Sequence, residues 1–265
     1  MTYLDEVIDD IFSGEVDNRL ANEEYIGVRL SGGIDSAFLC YLTMTKYSDK
    51  KIVPLTMYNR CRPGAKVKVD KLLKILKDLN PNTTFLEQEV GWFDSTGFVV
   101  TEEMKQKYKE TFEKTGVKEK YNPKDIEAKK FFRNCIAKYN GKMKSVLSGE
   151  TMNPPVEEQD SLVPPGEFNP DRNVKVKSLV GKYNITPFRN RNKKHIAAMV
   201  RGTGMFDILF EHTETCETET KRYPELAEQL GKTYKEPGVE PCRWCWPCRE
   251  KWWAYGVYDM MYKDD

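Results

Sequence analysis

The stretch Ser31-Gly32-Gly33-Ile34-Asp35-Ser36 decides the fold predicted for this chain. Residues 25–30 before it are mostly apolar and predict a β-strand, and residues 36–47 predict the helix that follows. Adjacent glycines allow the backbone to approach a ligand closely, and a helix N-terminus presents unpaired N–H groups and partial positive charge. These properties suit a pyrophosphate group. The two serines can add hydroxyl donors, and the aspartate can hold Mg²⁺ between phosphates.

Two better-known phosphate-binding patterns do not fit this turn. The Lys-Ser/Thr pair of the Walker P-loop is missing after the second glycine, and no G-x-G-x-x-G occurs here. The plain structural alternative is a strand–turn–helix in which an aspartate or serine merely caps the helix.

Secondary-structure signals alternate on both sides of the turn. Apolar spacing predicts helices over residues 3–13, 36–47 and 66–79, and strands over residues 25–30, 52–58 and 83–90. This β–α–β–α–β order predicts parallel strands with right-handed crossovers, hence an α/β fold with a doubly wound, mainly parallel sheet. Ligands of such sheets bind beyond the carboxyl ends of the strands, where the glycine turn lies.

The second half of the chain is less regular. Residues 126–140 predict a helix, 145–148 a short strand ended by Gly149, 193–200 a helix and 205–210 a last strand. Residues 150–172 contain several prolines and predict an active-site lid or substrate loop. The lysine-rich residues 101–130 also contain interleaved acidic residues, which favours solvated helices over a nucleic-acid surface.

Length and composition limit the class of protein. A chain of 265 residues suits one large α/β domain, alone or with a small appendage. A formal net charge of +1 argues against wholesale binding of a phosphate backbone, so no direct nucleic-acid binding is expected. The sequence contains no apolar run long enough for a membrane span and no N-terminal secretory signal, which predicts a cytoplasmic protein, or the host cytoplasm for a viral one.

The cysteines predict a metal site. Cys242, Cys245 and Cys248 have C-x-x-C-x-x-C spacing, and Cys216 precedes them across a 25-residue segment. Four thiolates suit a tetrahedral structural zinc site that staples the chain end to the body of the domain. His212 as a replacement ligand, an iron–sulfur cluster on the same thiols, and unligated cysteines remain alternatives.

The remaining cysteines have other interpretations. Cys40 and Cys135 lie on predicted helix faces and are expected in the core. Cys61 lies in a loop at a strand end, where a reactive role is an alternative.

The glycine turn resembles the SGGxDS signature of the PP-loop ATP pyrophosphatases, and later motifs follow the order found in the 7-cyano-7-deazaguanine synthases. The matching pieces are Gly149-Glu150-Thr151-Met152-Asn153, Asp160-Ser161, Pro164-Pro165-Gly166-Glu167-Phe168, Thr186-Pro187-Phe188, Lys193, Thr215-Cys216, and the cysteines Cys242, Cys245 and Cys248. These pieces span nearly the whole chain, although each of the middle ones is weak alone.

The resemblance implies an adenine nucleotide alpha hydrolase-like (Rossmann-like) fold and an ATP-dependent C–N ligase. Such an enzyme adenylates the carboxylate of 7-carboxy-7-deazaguanine, forms an amide with ammonia, and uses a second ATP to form the nitrile, releasing AMP and pyrophosphate. The implied partners are ATP, Mg²⁺, ammonia and a small 7-deazapurine, with Zn²⁺ on the four cysteines. A homodimer is compatible with this assignment.

Roles follow for individual residues. Catalysis is assigned to Asp35 and Lys193, and low-ranking candidates are Arg189 and Arg191 for anions and His195 as a base. Asp160 and Glu167 are assigned to the substrate because their carboxylates can accept hydrogen bonds from a guanine-like edge. Nucleotide binding is assigned to Ser31, Gly32, Gly33, Ile34, Asp35, Ser36 and Gly149.

The substrate half departs from the family pattern. Residues 163–166 read Val-Pro-Pro-Gly, where the synthases have a segment like Tyr-Pro-Asp-Cys-Arg. The segment between Cys216 and Cys242 is longer than usual, and a charged helical insertion is predicted near residues 92–130. A synthase-like enzyme with another acceptor, in macromolecule modification or phage defence, and a tRNA-modifying PP-loop enzyme are therefore alternatives. The predicted domains are residues 1–211 for ATP and residues 212–265 for zinc.

Overall fold

The computed structural model describes residues 1–59, 64–93, 123–162, 182–215 and 245–258, together with residues 106, 110, 113, 241 and 243. Its strands are β1 (Tyr25–Arg29), β2 (Lys51–Asn59), β3 (Thr84–Phe85), β4 (Glu89–Phe93), β5 (Val146–Leu147) and β6 (Asn184–Ile185). Its helices are α1 (Tyr3–Ile11), α2 (Glu15–Ala21), α3 (Ile34–Lys46), α4 (Gly64–Leu79), α5 (Pro123–Lys138), α6 (Val156–Leu162), α7 (Lys193–Gly202), α8 (Phe206–Glu211) and α9 (Trp246–Tyr255).

The strands form a parallel sheet in the order β3-β2-β1-β5-β6, with β4 also paired to β2. The chain builds the sheet outward from β1 on one side and then crosses to the other side. The strand order therefore reverses between β1 and β5, and ligands of open α/β sheets bind at such a switch point. The predicted α/β class with a doubly wound, mainly parallel sheet is confirmed.

The predicted third strand is present but interrupted. Phe85 of β3 pairs with Ile52, and Glu89 of β4 pairs with Leu55, so the edge strand carries one residue more than β2 over this interval. Gln88 in the interruption donates its side-chain amide to the hydroxyls of Thr56 and Tyr58, at 2.7 and 3.0 Å. These hydrogen bonds hold the interrupted part of the edge strand against β2.

Helices cover both faces of the sheet. Ile52 belongs to the large hydrophobic cluster that also contains most of α3, whereas the adjacent Val53 belongs to a second cluster with Cys135 of α5. Neighbouring strand residues point to opposite faces, so the two clusters lie on opposite sides of β2. Cys40, in α3, is completely buried, and Cys135 is 4% exposed, which confirms their assignment to the core.

In the second half, one predicted strand is a helix and one strand was not predicted. Residues 205–210 form helix α8 rather than a last strand, and the N–H of Leu209 donates to the carbonyl of Met205 at 3.0 Å. A short apolar run fits either element, and here Leu209 and Phe210 are both buried from a helix. The outer strand on this side of the sheet is β6 instead.

Other predictions on this half have mixed outcomes. The predicted loop 150–172 contains helix α6 at Val156–Leu162. Most of the predicted charged insertion, including residues 94–105 and 114–122, lies outside the described residues. In the part of the chain that the structure describes, the helices are too short or too polar to cross a bilayer.

Candidate functional site

The glycine turn leaves the first turn of α3 without a side-chain cap. Gly32 has a φ of +84°, a left-handed conformation that favours glycine. Gly33, the N-cap residue, is extended and has no side chain to accept hydrogen bonds from the helix. The N-terminus of α3 therefore offers N–H donors and the positive end of a 13-residue helix dipole to an anion. The alternative in which an aspartate or serine caps the helix is wrong, since the N-cap residue is Gly33 and the structure has no side-chain cap hydrogen bond there.

Ser36 holds the turn together from inside. Its hydroxyl donates to the carbonyl of Gly33 at 2.9 Å, accepts the N–H of Ser31 at 3.1 Å and lies 3.0 Å from the Ser31 hydroxyl. The residue is 6% exposed. Ser36 thus fixes the shape of the turn, whereas Ser31 is exposed at its mouth.

Gly149 packs backbone against backbone on this turn. It follows β5, which pairs with β1 in the sheet. A Cβ built on Gly149 would lie 3.1 Å from the carbonyl carbon and oxygen of Asp35 and from the nitrogen of Ser36. Only glycine fits this approach without displacing backbone, so the motif residue Gly149 and the turn form one wall at the switch point.

Asp35 and Lys193 form a partly buried ion pair. Nζ of Lys193 lies 2.6 Å from Oδ2 of Asp35, and their side chains are 10% and 13% exposed. Lys193 is the first residue of α7, whose N-terminus is capped by the side chain of Asn192. The structure therefore brings together the two residues assigned to catalysis, which are 158 positions apart.

Two further residues of this cluster were not predicted from the sequence. Glu250 of α9 has a side chain only 3% exposed, with Oε2 at 3.8 Å from Nζ of Lys193. The hydroxyl of Tyr255 donates to Oδ1 of Asp35 at 3.5 Å. Burial, and then the charge of Asp35, raise the pKa of Tyr255 well above its ordinary value, so this phenol stays protonated and can donate.

The chain just before Cys216 crosses the glycine turn. The N–H of Glu214 donates to the carbonyl of Gly32 at 2.9 Å, and the Glu214 carboxylate pairs with Lys68 of α4. A Cβ on Gly33 would lie 3.5 Å from the methyl group of Thr215. The C-terminal segment thus contacts the turn at two places, here and through α9.

Half of the predicted zinc site can be placed. Cys245 is the N-cap of α9 and Cys248 lies in its first turn, and both are buried. Cys216 and Cys242 lie outside the described residues. Within the described ranges, no group of three or more His, Cys, Asp or Glu side chains is arranged to hold a metal ion. His212, the alternative ligand, has a buried Nδ1 without a hydrogen-bond partner among those residues.

The other sequence candidates have structural roles or cannot be placed. His195 accepts the N–H of Asn192 through Nδ1 at 3.1 Å, so its imidazole belongs to the cap of α7. Arg191 pairs with Asp10 of α1 instead of facing the turn. Asp160 belongs to α6, but its side chain, together with the whole of Glu167 and Cys61, lies outside the described parts of the structure.

Comparison with known proteins assigns no family to the chain. No family model matches the sequence. No curated protein matches it either.

Several solved structures are similar in outline. A U34-tRNA thiolase from Methanococcus maripaludis with its [4Fe-4S] cluster is 11% identical, with 96% of this chain and 78% of that chain covered and a TM-score of 0.46. An NMN synthetase from Francisella tularensis is 11% identical, with 99% and 98% covered and a TM-score of 0.43. An NAD+ synthetase from Burkholderia pseudomallei is 16% identical, with 89% and 84% covered and a TM-score of 0.41. Similarities at this level assign no activity.

Proposed function

We propose that this protein is an ATP-dependent enzyme that adenylates an oxygen of its acceptor and releases pyrophosphate. The observation that carries the proposal is the uncapped N-terminus of α3 at the sheet's switch point, with the Asp35–Lys193 pair beside it. The turn supplies N–H donors and Lys193 supplies a positive charge, which are the groups that a departing pyrophosphate needs. The SGGxDS motif supports the same assignment from the sequence.

The donor set at the turn also suits Mg²⁺. Asp35 provides carboxylate oxygens, which Mg²⁺ prefers together with phosphate oxygens and water. Bound with the nucleotide, the ion supplies charge neutralisation on the phosphates. Lys193 already balances the Asp35 carboxylate in the structure. Asp35 is therefore the protein ligand that we assign to this ion.

The first round of the proposed chemistry consists of two displacements. An acceptor carboxylate oxygen attacks the α-phosphorus, and the bond to the bridging oxygen of pyrophosphate breaks. Ammonia then attacks the acyl carbon, the bond to AMP breaks, and loss of a proton leaves an amide. In a second round the amide oxygen is adenylated, and departure of AMP with loss of protons from nitrogen leaves a nitrile. The role of the turn in both rounds is to hold the phosphates and accept the developing negative charge.

The acceptor that we propose is 7-carboxy-7-deazaguanine, with the amide or the nitrile as product. The support is the order of short motifs that runs from Gly149 to Cys248. Asp160 and Glu167 are the proposed acceptors for hydrogen bonds from its amino group and ring N–H. A site with buried acceptors rejects an analogue that lacks the matching donors, because those acceptors would remain unpaired.

The C-terminal segment, residues 212–265, is proposed to hold one structural zinc through Cys216, Cys242, Cys245 and Cys248. Four thiolates form a closed tetrahedral site that does no chemistry itself. The burial of Cys245 and Cys248 at the start of α9 is compatible with ligands shielded from solvent. Residues 1–211 are proposed as the ATP-binding unit that this segment completes.

The test is product analysis with a defined acceptor. Purified protein is incubated with ATP, Mg²⁺ and ammonium, with and without 7-carboxy-7-deazaguanine, and AMP, pyrophosphate and the deazapurine products are measured. We expect AMP release to depend on the acceptor, and an analogue without the 2-amino group to give none. Asp160→Ala should raise the concentration of deazaguanine required more than that of ATP.

Two outcomes would count against the proposal at different levels. ATP binding without AMP release on the deazaguanine would remove this acceptor but leave an adenylating enzyme, whose acceptor would then be sought among tRNA and proteins. Absence of ATP binding under any condition would reject the adenylating function itself.

A further inference from the structure

The ion pair at the turn has a third member that the adenylation chemistry does not by itself require. Glu250, from α9, has its carboxylate at 3.8 Å from Nζ of Lys193, whereas the carboxylate of Asp35 lies at 2.6 Å. The side chains of all three residues are at most 13% exposed. A buried carboxylate is costly unless it has a cationic or hydrogen-bonding partner. One ammonium group therefore lies within 4 Å of two carboxylates, at 2.6 Å from Asp35 and 3.8 Å from Glu250.

The two carboxylates differ in what a nucleotide would do to them. Asp35 belongs to the first turn of α3, next to the N–H groups that would receive phosphate. Glu250 belongs to α9 and lies close enough to attract Nζ without forming a tight hydrogen bond. If Asp35 binds Mg²⁺, its attraction for the ammonium at 2.6 Å weakens, because two cations then share one carboxylate and repel each other across it.

We propose that Glu250 is a positioning residue that keeps the Lys193 ammonium at the phosphate turn when Asp35 is engaged by metal-bound nucleotide. The inference rests on the proposed function, because it assumes that the turn binds ATP with Mg²⁺. Glu250 is linked to the turn through its ion pair with Lys193. It acts through that lysine.

The formal charges of the cluster support this division of roles. Asp35, Glu250 and Lys193 together carry one net negative charge when all three are ionised. This charge favours a divalent cation at Asp35, beside the N–H groups of α3 that would receive phosphate. When Glu250 is neutralised, the Lys193 ammonium interacts more strongly with Asp35. A metal ion then needs a higher concentration to bind Asp35. Removing the ammonium has the opposite effect, because it frees Asp35 and makes the cluster more negative.

The helix that carries Glu250 is anchored by its neighbours. Tyr255, five residues further along α9, reaches Asp35 through its hydroxyl and belongs to the main hydrophobic cluster. Arg201 of α7 donates to the carbonyl of Tyr255 at 2.5 Å. These contacts tie α9 to both α3 and α7, so the position of Glu250 relative to Lys193 is fixed by packing and not by the ion pair alone.

The experiment compares Glu250→Gln, Glu250→Asp and Lys193→Met with the unaltered protein. ATP binding is measured by calorimetry over a range of Mg²⁺ concentrations, which does not depend on identifying the acceptor. We expect Glu250→Gln to raise the half-saturating Mg²⁺ concentration about 3- to 10-fold, in line with a partly screened charge interaction at this separation. Lys193→Met should lower that concentration, and Glu250→Asp should give an intermediate value.

A second measurement separates positioning from binding. At saturating Mg²⁺, the affinity of Glu250→Gln for ATP should be within about twofold of that of the unaltered protein. Its kcat for AMP release should fall about tenfold or more, because a group that acts in the transition state affects kcat more than binding. Glu250→Asp, which restores the charge one methylene further away, should recover part of kcat. A change in the fold alone would not give opposite metal requirements for the glutamate and lysine variants.

The matched control is Glu24→Gln. Glu24 is also a carboxylate between two charged groups, with Lys51 at 2.9 Å and Lys142 at 3.2 Å, but it lies before the start of β1, at the opposite end of the strand from the turn. This variant should leave both the Mg²⁺ requirement and kcat unchanged. Melting temperatures and far-UV circular dichroism of all variants report whether each one folds.

The outcomes separate the two proposals. Mg²⁺-dependent ATP binding by the unaltered protein, together with an unchanged metal requirement in Glu250→Gln, would overturn the role of Glu250 and leave the proposed function standing. Should Glu250→Gln fail to fold, the role is overturned if Glu250→Asp and Lys193→Met both keep the original metal requirement. Absence of ATP binding by the unaltered protein would overturn the proposed function and this inference with it.

Discussion

A Cβ atom on Gly149 would lie 3.1 Å from the carbonyl carbon of Asp35, so the turn after β5 and the first turn of α3 touch through their backbones. The contact joins the two strands between which the order of the sheet reverses. A separation of this kind cannot be relieved by rotating a side chain. The distance between these two turns at the switch point therefore depends on the absence of a side chain at residue 149.

Gly149→Ala is expected to separate these two turns. The added methyl group must displace backbone atoms of Asp35 or Ser36, which we expect to cost about 1–3 kcal/mol in the free energy of unfolding. ATP affinity should fall as well, because the N–H groups of α3 shift. Urea denaturation and calorimetric titration with ATP measure the two effects.

The control for this substitution is Gly204→Ala. Gly204 has a φ of +73°, and a Cβ atom added to it would meet nothing within 4 Å, so alanine there is strained but does not collide. It should lose about 1–2 kcal/mol of stability and keep its affinity for ATP. Equal ATP affinity in both variants would show that the close approach does not shape the site.

Asp35→Asn should keep the fold and abolish most ATP turnover. Lys193 and Tyr255 donate to different oxygens of Asp35, so the amide keeps an acceptor for only one of them, and it loses the charge that a magnesium ligand needs. We expect AMP release to fall by a factor of about 100, comparable to the removal of a group that stabilises transition-state charge. Asp70→Asn, which breaks an exposed pair with Lys66, is the control and should retain full activity. Unchanged AMP production by a folded Asp35→Asn protein would remove Asp35 from the mechanism.

Metal analysis tests the four-cysteine assignment. We expect one zinc per chain, lost in a Cys245→Ser/Cys248→Ser protein and retained in Cys135→Ala, whose thiol is buried under α5. Removal of the metal should destabilise the C-terminal segment before it alters the glycine turn, because metal binding is coupled to the folding of the part it closes. Iron with sulfide in stoichiometric amounts, or full zinc in the double variant, would contradict the assignment.

We expect the buried thiol of Cys40 to lower the free energy of unfolding at alkaline pH. Burial raises the pKa of Cys40 to about 12, whereas the same thiol in the unfolded chain ionises near its ordinary value. The unfolded state therefore loses a proton that the folded state keeps, so the contribution is complete below about pH 9 and is lost as pH rises toward 12.

Within that window, this thiol lowers the free energy of unfolding by about 1.4 kcal/mol for each pH unit. Cys40→Ala should reduce the pH dependence of the free energy of unfolding between about pH 9 and 11 by this amount, measured with urea. The same variant should be less stable at neutral pH, because it leaves a small cavity beside α3. An identical slope in both proteins would mean that Cys40 does not remain neutral in the folded state.

Local patterns predicted the first half of the fold well. The strand at Tyr25–Arg29, the turn and the helix at Ile34–Lys46 each have a signal within a few residues, and the helix at Gly64–Leu79 has clear apolar spacing. The second half contains strands of only two residues, β5 and β6. Two residues carry no periodicity, so β6 had no signal and the apolar run that became α8 was mistaken for the last strand.

The residues of the candidate site also fall into those that the sequence indicated and those that it did not. Asp35 and Gly149 belong to recognisable turns, and Lys193 is assigned from its place in the order of motifs that resembles the synthases. Glu250 and Tyr255 gave no comparable signal, since they lie in a short helix that follows predicted metal ligands. Their relation to Asp35 depends on how α9 packs against α3 and α7, which involves residues as far as 220 positions apart in the chain.

The sequence alone determined the β1–turn–α3 unit, because backbone conformation at adjacent glycines and hydrophobic spacing act over a few residues. It also predicted parallel strands, because strands that alternate with helices are joined by crossover connections. Only the tertiary structure decided that Lys193 pairs with Asp35 and that Glu250 lies 3.8 Å from the same ammonium. Those contacts arise where three separate helices, α3, α7 and α9, pack together, and a buried charge takes its partner from whichever residues that packing brings within reach.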